Sequence, residues 1–454
     1  MELLNLDILK KNQVTDLYNK ILVSMMEFIV SRYEADPSYG WVDTKISLIT
    51  GEDFAADDFL RGRNTVYAWI QGRALEAMTL HADWFEQNSI ELDLVARIKD
   101  VLHELLSKLE YSRSINCGHL SFFMNKDGRA FRLSSDCQPE YFTDMACQNY
   151  NLSDLFCSKG MYVAAKYLGF GKSERDAKDY CLDVIDAVWD GNFVSDQVSF
   201  RGEISSCGRI LNSIGPYMLS LDTAELLLKD DPEYASDLAG KIIDRILTYH
   251  VNLRGEWGFG HQFDCVENID SSYAPLTANK TVESDPGHSI EFCGLTMRFI
   301  NNFKKFAMLP EDISRFDDYE DIIKSVFKKN FTNGYVEIPG GICKGYDLVS
   351  RNIIDSDMPW WNLPEAMRAA LCCASTGSFK EVEEFRDIFN KCHNSFVNNY
   401  IRPEYNYISI QTIGADGMVK DTIPATPDID PGYHTGICLI DCLKVLEEID
   451  LEIA

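Results

Sequence analysis

Apolar residues recur at helical spacing through most of this chain. Long segments place them at i, i+3, i+4 and i+7, whereas alternating apolar and polar stretches are few and short. No Gly/Ser-rich or Pro-rich segment divides the sequence, so we expect a single domain over residues 1–454. The pattern predicts helices over residues 7–31, 66–87, 90–109, 140–150, 153–168, 174–190, 213–229, 233–250, 286–305, 317–329, 361–376, 380–400 and 432–449.

Short stretches between the helix pairs have the character of β-hairpins. They cover residues 39–48, 120–133, 335–346 and 405–419, and two of them contain a turn dipeptide, Asp127-Gly128 and Asp416-Gly417. About twelve helices punctuated by one type of loop predict an all-α fold, a closed α/α toroid whose inner helices line a cavity and whose hairpins cover one mouth. A helical repeat array is the alternative, although no sequence period is strong enough to require it.

Charge and composition narrow the class of protein. The 454 residues include 43 Lys+Arg and 71 Asp+Glu, which give a formal net charge of −28. Nucleic acid is therefore not expected as a partner, because a polyanion needs clustered basic residues. The chain shows neither a signal-like apolar run nor the roughly 18 apolar residues of a membrane span, so we expect a cytoplasmic protein without a membrane segment. The 14 Cys are scattered, which favours buried thiols and gives no support for a metal or another cofactor.

Two of the eight His stand out because each follows Pro-Gly at a predicted helix start. His288 lies in Asp-Pro-Gly-His at 285–288, and Glu291 falls three residues later on the same face, where it could orient the imidazole. Alternatively, Glu291 completes a capping box and His288 is a solvated loop residue. His434 lies in Asp-Pro-Gly-Tyr-His at 430–434. Because a helix N-terminus lowers the pKa of a nearby His, we expect both rings to be neutral bases. Structural roles are expected for His81, His103, His250 and His393, and no role is assigned to His119 and His261.

Two aromatic segments add candidate ligand contacts. The first reads Tyr-Ala-Trp-Ile-Gln-Gly-Arg at 67–73, where a helical Gly that costs about 1 kcal/mol indicates close approach of another backbone or a ligand. Arg73 offers a fork of donors to an oxygen-rich ligand, with a surface salt bridge as the alternative. The second places Trp360 and Trp361 before a helix that carries Glu365. Aromatic rings beside carboxylates are typical of sugar sites, and buried core Trp residues are equally common.

These segments, in this order along the chain, resemble the N-acylglucosamine 2-epimerase family, which includes renin-binding protein, cellobiose 2-epimerases and aldose-ketose isomerases. Residues 39–41 and 69–73 resemble its Gly-Gly-Phe segment and its Trp-x-Gln-Gly-Arg helix, and residues 122–129 resemble the next hairpin. Residues 285–291 match Pro-Gly-His-x-x-Glu, residues 360–366 match Trp-Trp-x-x-x-Glu-Ala, and 433–434 match the C-terminal aromatic-His pair.

The resemblance implies an (α/α)6 barrel that epimerises a free sugar by proton transfer at C2 through an enediolate. By motif position, the acid/base pair would be His288 and His434, with Arg73 on the carbonyl oxygen and Glu291 orienting His288. The substrate contacts would be Trp361, Glu365, Trp69 and Tyr67. The resemblance also implies a small sugar as the partner, no metal or other cofactor, and a homodimer as the expected assembly.

Three departures from the family pattern keep other functions open. His434 is followed by Thr-Gly-Ile at 435–437 where the family carries basic residues, and residues 264–285 form an insertion-like acidic loop. Residues 215–219 lack the His of the isomerase and cellobiose branches, which favours the N-acylglucosamine branch. The alternatives are an aldose-ketose isomerase acting on a mannose-type sugar, a glycan-processing hydrolase with paired carboxylates, and a catalytically altered sugar-binding member.

Overall fold

Twelve α-helices dominate the part of the chain that the structure, a computed structural model, describes: residues 8–55, 57–134, 136, 138–142, 149–197, 209–210, 212–306, 314–422 and 426–448. The helices are α1 Ile8–Ala35, α2 Ala68–Gln87, α3 Leu92–Ile115, α4 Leu152–Leu168, α5 Gly171–Asp190, α6 Gly215–Leu227, α7 Pro232–Tyr249, α8 Pro286–Phe306, α9 Asp317–Gly334, α10 Asn362–Ala374, α11 Phe379–Ser395 and α12 Cys438–Glu448.

The helices form two concentric layers that close into a ring. Helix α2 packs on α4, α4 on α6, α6 on α8, α8 on α10 and α10 on α12. A π-helical turn, Tyr433–Ile437, leads into α12 and packs back on α2, which closes the inner layer. The alternate helices pack outside, for example α3 on α2 and α9 on α8. In the part of the chain that the structure describes, six inner and six outer helices make the (α/α)6 barrel that the sequence predicts.

Burial follows this division into layers. Inner helix α4 is buried along nearly its whole length, whereas outer helix α5 buries a single stripe that includes Tyr180 and Val184. A helix buried on all sides is what an inner position requires, and a stripe is typical of a surface helix. No helix among the described residues is long and apolar enough to cross a membrane. The cysteines in the described part of the chain are free thiols, and all but Cys117 are buried.

The backbones of α2 and α4 come unusually close. A Cβ on Gly72 would lie 2.8 Å from the backbone of Cys157, and a Cβ on Gly160 would lie 2.2 Å from the carbonyl oxygen of Gly72. The Cys157 thiol donates to the carbonyl of Ala68 at 3.2 Å across the same contact. The glycine in the second turn of α2 is therefore explained by the close approach of another backbone, as predicted.

Short strands lie on the loops between the helices and are concentrated at one mouth of the barrel. Several of them run into inner helices: β1 into α2, β5 into α4, β9 into α8 and β14 into α10. The strands are β1 Thr65–Tyr67, β2 Phe123–Asn125, β3 Ala130–Leu133, β4 Pro139–Tyr141, β5 Tyr150–Asn151, β6 Phe193–Ser195, β7 Arg209–Ile210, β8 Thr277–Ala278, β9 Thr281–Ser284, β10 Tyr335–Val336, β11 Gly341–Ile342, β12 Gly345–Asp347, β13 Asn352–Asp355, β14 Met358–Pro359, β15 Ile401–Arg402, β16 Ile408–Ser409 and β17 Thr412–Ile413.

Three of the predicted hairpin stretches contain a chain reversal with strand pairing. Strands β2 and β3 pair around Asp127-Gly128, with Gly128 at a φ of 83°, and β10 pairs with β11. Around Gly417, Ile413 bridges to Val419. The predicted bounds 39–48 are wrong, because Pro37–Tyr39 is a 3-10 turn and the chain reversal comes later, where Ile46 bridges to Asp53.

The predicted helix over 140–150 is also wrong wherever it can be judged. Residues 140–141 belong to β4, residue 150 begins β5, and residues 143–148 lie outside the described residues. Strand β4 pairs with β3, and Tyr141 packs edge-on against Phe131 with ring centroids 5.8 Å apart. Cross-strand aromatic packing therefore stabilises this segment as a strand, and the local hydrophobic period of the sequence does not indicate such packing.

Candidate active site

A cavity of about 280 Å³ lies where the inner helices begin. Every inner helix, or the turn that leads into it, contributes to the wall, so the cavity occupies the mouth of the barrel. Its lining includes Trp69 and Arg73 from α2, Leu152 and Phe156 from α4, Met218 and Leu219 from α6, His288 and Glu291 from α8, Trp360 and Trp361 before α10, His434 before α12, and Glu267 and Lys344 from loops.

His288 is the third residue of α8, and Asp285 holds the start of that helix. The Asp285 carboxylate accepts the backbone N–H groups of Gly287 at 3.0 Å and His288 at 3.4 Å. The imidazole Nδ1 lies 2.9 Å from Oε2 of Glu267 and 3.5 Å from Oδ2 of Asp285. The expected orientation of His288 by Glu291 is therefore wrong, because Glu267 makes that contact.

The charge on His288 also differs from the expectation. Burial acts to lower the pKa of this ring, but the negative charges of Asp285 and Glu267 outweigh it and raise the pKa to about 9. The expected lowering by the helix N-terminus is wrong, since two adjacent carboxylates act more strongly than a partial dipole charge. His288 is therefore an imidazolium near neutral pH.

Glu267 is a residue of the candidate site that the sequence reasoning missed. It lies between α7 and β8, in the acidic loop 264–285 that departs from the family pattern. It is 21 positions from His288 along the chain, so no helical or strand spacing relates the two. The only indication in the sequence was that the acidic loop departs from the family pattern. That departure did not indicate which carboxylate of the loop faces the cavity.

His434 lies in the π-helical turn Tyr433–Ile437, which no sequence pattern predicted. The Asp430 carboxylate accepts the N–H groups of Tyr433 at 2.8 Å and Thr435 at 2.9 Å, and Gly432 provides the left-handed φ of 94° that begins the turn. His434 is thereby held at the start of the last inner helix, as predicted.

Glu365 orients His434. Its Oε1 lies 3.0 Å from Nδ1 of His434, and its other oxygen accepts from the buried Arg368 guanidinium. Burial acts to raise the pKa of Glu365, but Arg368 and His434 outweigh it, and the pKa is lowered. The assignment of Glu365 as a sugar-binding residue is therefore corrected, because both of its oxygens already have protein partners.

Trp361 lies between the two imidazoles. Its ring centroid is 5.5 Å from that of His288 and 5.3 Å from that of His434, with interplanar angles of 31° and 32°. Since both Nδ1 atoms are engaged by carboxylates, the Nε2 atoms are the ones that can contact a ligand. The structure thus brings Trp361 and both predicted histidines together on one wall of the cavity.

Arg73 lines the cavity against aromatic rings. Its guanidinium carbon lies 4.2 Å from the ring centroid of Phe156, 5.1 Å from that of Tyr433 and 5.4 Å from that of Trp69. Its Nε atom is buried without a hydrogen-bond partner in the described part of the chain. Burial lowers its pKa despite nearby Tyr433 and Glu291. The surface salt bridge is therefore the wrong alternative, and the cation is free to bind a ligand oxygen.

Glu291 and Tyr67 take different places from those predicted. Glu291 faces the cavity with 4% exposure, and burial followed by the charge of Glu365 raises its pKa. Tyr67 has no exposed surface, donates its hydroxyl to the carbonyl of Leu60 at 3.0 Å and is absent from the cavity lining. The prediction that Tyr67 binds substrate is wrong, because β1 points this ring into the core.

Two groups of side chains in the site have a composition that could hold a metal ion. Each consists of one His and two carboxylates whose potential ligand atoms lie within 4.8 Å of one another. Such N/O sets suit divalent metals, and their members here already pair with one another or with basic groups. The absence of a cofactor therefore stays a prediction. The groups are Glu267 with Asp285 and His288, and Glu291 with Glu365 and His434.

Below the cavity, buried charges link all six inner helices. Apart from Glu365 and Arg368, which lie three residues apart on α10, these charges come from different helices, so the sequence does not predict that they meet. Arg298 donates to Asp441 at 3.0 Å, and Arg368 lies 3.6 Å from Asp441, so the carboxylate of α12 supports the arginine that holds Glu365. The chain of contacts runs through Glu76, Lys159, Asp222, Arg298, Asp441, Arg368 and Glu365.

Fold and site together define a helical-barrel protein with two histidines at its mouth. The profile of the family described as N-acylglucosamine 2-epimerase (GlcNAc 2-epimerase) matches residues 179–438, more than half of the 454-residue chain. The chain therefore belongs to the N-acylglucosamine 2-epimerase family. The matched range contains His288, Trp361 and His434, whereas Arg73 precedes it.

Solved structures agree with this assignment at the level of fold. A D-mannose isomerase superposes with a TM-score of 0.62 at 14% identity, covering 92% of this chain and 97% of its own. A cellobiose 2-epimerase from Spirochaeta thermophila gives 0.62 at 12% identity over 96% and 98%. A family 76 glycoside hydrolase from a bovine Bacteroides thetaiotaomicron strain gives 0.51 at 10% identity over 95% and 78%. No curated protein sequence matches the chain.

Proposed function

We propose that this protein is a carbohydrate epimerase or isomerase that moves a proton at C2 of an open-chain sugar between His288 and His434. The observation that carries the proposal is the pair of imidazoles on Trp361, each with Nδ1 held by a carboxylate and both lining one cavity with Arg73. Membership of the N-acylglucosamine 2-epimerase family supports the substrate class.

Proton transfer at C2 needs a base, an acid and a cation near the carbonyl. His434 donates Nδ1–H to Glu365, and in its neutral form it offers Nε2 as the base that removes the C2 proton. The electrons move into a C1–C2 double bond, and Arg73 stabilises the resulting charge on the C1 oxygen. The His288 imidazolium returns a proton to the other face of C2, which gives the epimer. In the reverse direction the two rings exchange roles.

The remaining walls of the cavity suit a sugar with an apolar substituent. Trp361 offers aromatic surface to the C–H groups of the sugar. Helices α4 and α6 contribute the apolar side chains Leu152, Phe156, Met218 and Leu219. We favour an N-acylated hexosamine because this apolar surface can accept the acyl methyl group. We keep as proposals a single domain over residues 1–454, a homodimer and a cytoplasmic location.

Proton NMR in D2O tests the proposal directly. The purified protein is incubated with N-acetylglucosamine, N-acetylmannosamine, mannose, glucose, fructose or cellobiose, and deuterium incorporation at C2 is followed. We expect exchange with an N-acylated hexosamine. His288→Ala and His434→Ala should each reduce the exchange rate by about 100-fold or more, because each removes a proton-transfer group. His103→Ala, at an exposed position of α3, is the matched control and should retain the full rate.

Other outcomes point to the remaining functions. Full exchange in both cavity variants would rule out the two-histidine mechanism. Formation of a ketose would identify an aldose-ketose isomerase, in which the proton returns to C1. Release of a reducing sugar from a glycoside would support a hydrolase. Thermal stabilisation by a sugar without any exchange would indicate a binding protein.

A further inference from the structure

We propose that Glu267 is the positioning residue of His288: it fixes the orientation of this imidazole and, together with Asp285, supports its charged form. The expected effect of Glu267 on turnover rests on the proposed function, whereas its expected effect on the His288 ring does not. The loop that carries Glu267 is the acidic segment 264–285, and no family motif includes it.

The backbone of Glu267 is clamped on two sides. Its N–H donates to the carbonyl of Glu283 in β9 at 2.9 Å, and its carbonyl accepts the N–H of Ile214, immediately before α6, at 3.0 Å. The side chain extends from this clamp to the cavity with 15% exposure, and Oε2 reaches Nδ1 of His288 at 2.9 Å. Because the backbone N–H and C=O of Glu267 are both hydrogen-bonded, its carboxylate is well placed to fix the orientation of the His288 ring.

Asp285, the other acidic neighbour, is already fully engaged. It accepts the N–H groups of Gly287 and His288 and the ammonium group of Lys344, and it lies 3.5 Å from the imidazole Nδ1. Its oxygens therefore serve the helix start and the lysine. Glu267 is left as the carboxylate within hydrogen-bond distance of Nδ1.

The charges around His288 come from several elements. Asp285 and Glu291 belong to the start of α8, Glu267 comes from the acidic loop, and Lys344 comes from the segment between β11 and β12. His434 lies on the other side of Trp361. Burial opposes protonation of His288, yet Asp285 and then Glu267 raise its pKa to about 9. Removal of the Glu267 charge should therefore make the ring easier to deprotonate.

Histidine labelled with ¹³C at Cε1 allows the test in the free protein. The chain has eight His, and the His288 signal is assigned by its loss in His288→Ala. We expect a titration midpoint near 9 in the parent protein. Glu267→Gln retains a hydrogen-bond acceptor without charge and should lower this midpoint by about one pH unit or more. Glu267→Asp retains the charge at a greater distance and should give an intermediate midpoint.

Glu283→Gln is the matched control, because Glu283 is an exposed acidic residue of β9 whose carbonyl accepts from Glu267. The control should leave the His288 midpoint unchanged. An unchanged midpoint in Glu267→Gln, or an equal shift in the control, would overturn the proposal. Spectra of the other seven His signals report whether a variant has kept its fold.

The kinetic consequence is measured separately, as the pH dependence of C2 exchange. In Glu267→Gln the fall of the rate on the alkaline side should move to lower pH, with KM unchanged, because the acid loses its proton earlier. Failure of the proposed function would leave no exchange to follow, whereas the imidazole titration would still give its result. The two failures are thus distinguishable.

Discussion

The two imidazoles of the site differ in the groups that hold them. His288 has two carboxylates nearby, Glu267 and Asp285. His434 is held by Glu365, which also pairs with Arg368, and Glu291 lies within 4.8 Å of the same group. The two carboxylates beside the His288 ring favour its protonated form. This environment is the physical basis for assigning His288 as the first acid in the proposed mechanism.

Tyr67→Phe tests whether Tyr67 belongs to the core and not to the site. The change removes the hydroxyl that donates to the carbonyl of Leu60 at 3.0 Å and keeps the ring that packs on Phe122. We expect a loss of about 1 kcal/mol in the free energy of unfolding, because one buried hydrogen bond is lost. KM and kcat for the sugar should be unchanged, whereas Trp361→Ala should raise KM.

Steady-state kinetics and urea unfolding of the same preparations provide the measurement. A raised KM in Tyr67→Phe, with stability intact, would return Tyr67 to the substrate site. The comparison thus contrasts two aromatic residues: Trp361 lines the cavity, whereas Tyr67 is fully buried in the core.

At this scale the sequence predicted the side chains that line the cavity better than the residues that hold them. His288, His434, Arg73 and Trp361 line one cavity, as their motifs indicate. The carboxylates that orient the two rings lie 21 and 69 positions away from them along the chain. Only the closure of the barrel brings them into contact, so local spacing assigned Glu291 to a role that Glu267 fills.

Among the elements, the α2–α4 pair shows how packing between helices overrides local helix propensity. Gly72 and Gly160 each weaken their own helix, and together they allow the two backbones to touch. This contact carries Trp69 and Arg73 of α2 and Phe156 of α4 to the cavity wall. A packing requirement between inner helices thus determines where the guanidinium lies.

Gly160→Ala tests this contact. The added Cβ would lie 2.2 Å from the carbonyl oxygen of Gly72, so the helices must separate. We expect the free energy of unfolding to fall by about 1–3 kcal/mol from overpacking, although alanine is the better helix former. Gly171→Ala is the control, since the nearest atom to its Cβ is a flexible Arg175 nitrogen at 3.6 Å. Urea unfolding of both variants is the measurement, and equal stabilities would refute the close-contact explanation.

Helices with strong periodicity were predicted well, and irregular elements were not. Within the described residues, eleven of the twelve helices begin within three residues of the predicted start, and the last begins later because the π-helical turn Tyr433–Ile437 precedes it. This turn depends on the Asp430 carboxylate and on Gly432 in a left-handed conformation. Neither a period nor a turn dipeptide encodes such an arrangement, although it holds His434 in place.

In the whole molecule, ionisable groups buried in the barrel make stability depend on pH in both directions. Burial lowers the pKa of His81, His250 and His393 to about 4. In the unfolded chain their pKa is about 6.5. Below that pH the unfolded state binds protons that the folded state does not bind, so the free energy of unfolding falls. His288 acts oppositely, because its pKa is raised to about 9 and its contribution is lost as the pH rises from about 6.5 through 9.

His250→Gln isolates one of these contributions. Nδ1 of His250 lies 3.0 Å from the carbonyl oxygen of Val266, and a glutamine amide can donate to the same atom without titrating. The free energy of unfolding of the parent should therefore fall relative to His250→Gln between pH 7 and pH 5, by about 2 kcal/mol. His103→Gln, at an exposed position, should run parallel to the parent. Urea unfolding at pH 8, 7, 6 and 5 is the measurement. If the His250→Gln profile also ran parallel to the parent, the buried ring would have to accept a proton in the folded barrel, and its burial could not be the cause of acid sensitivity.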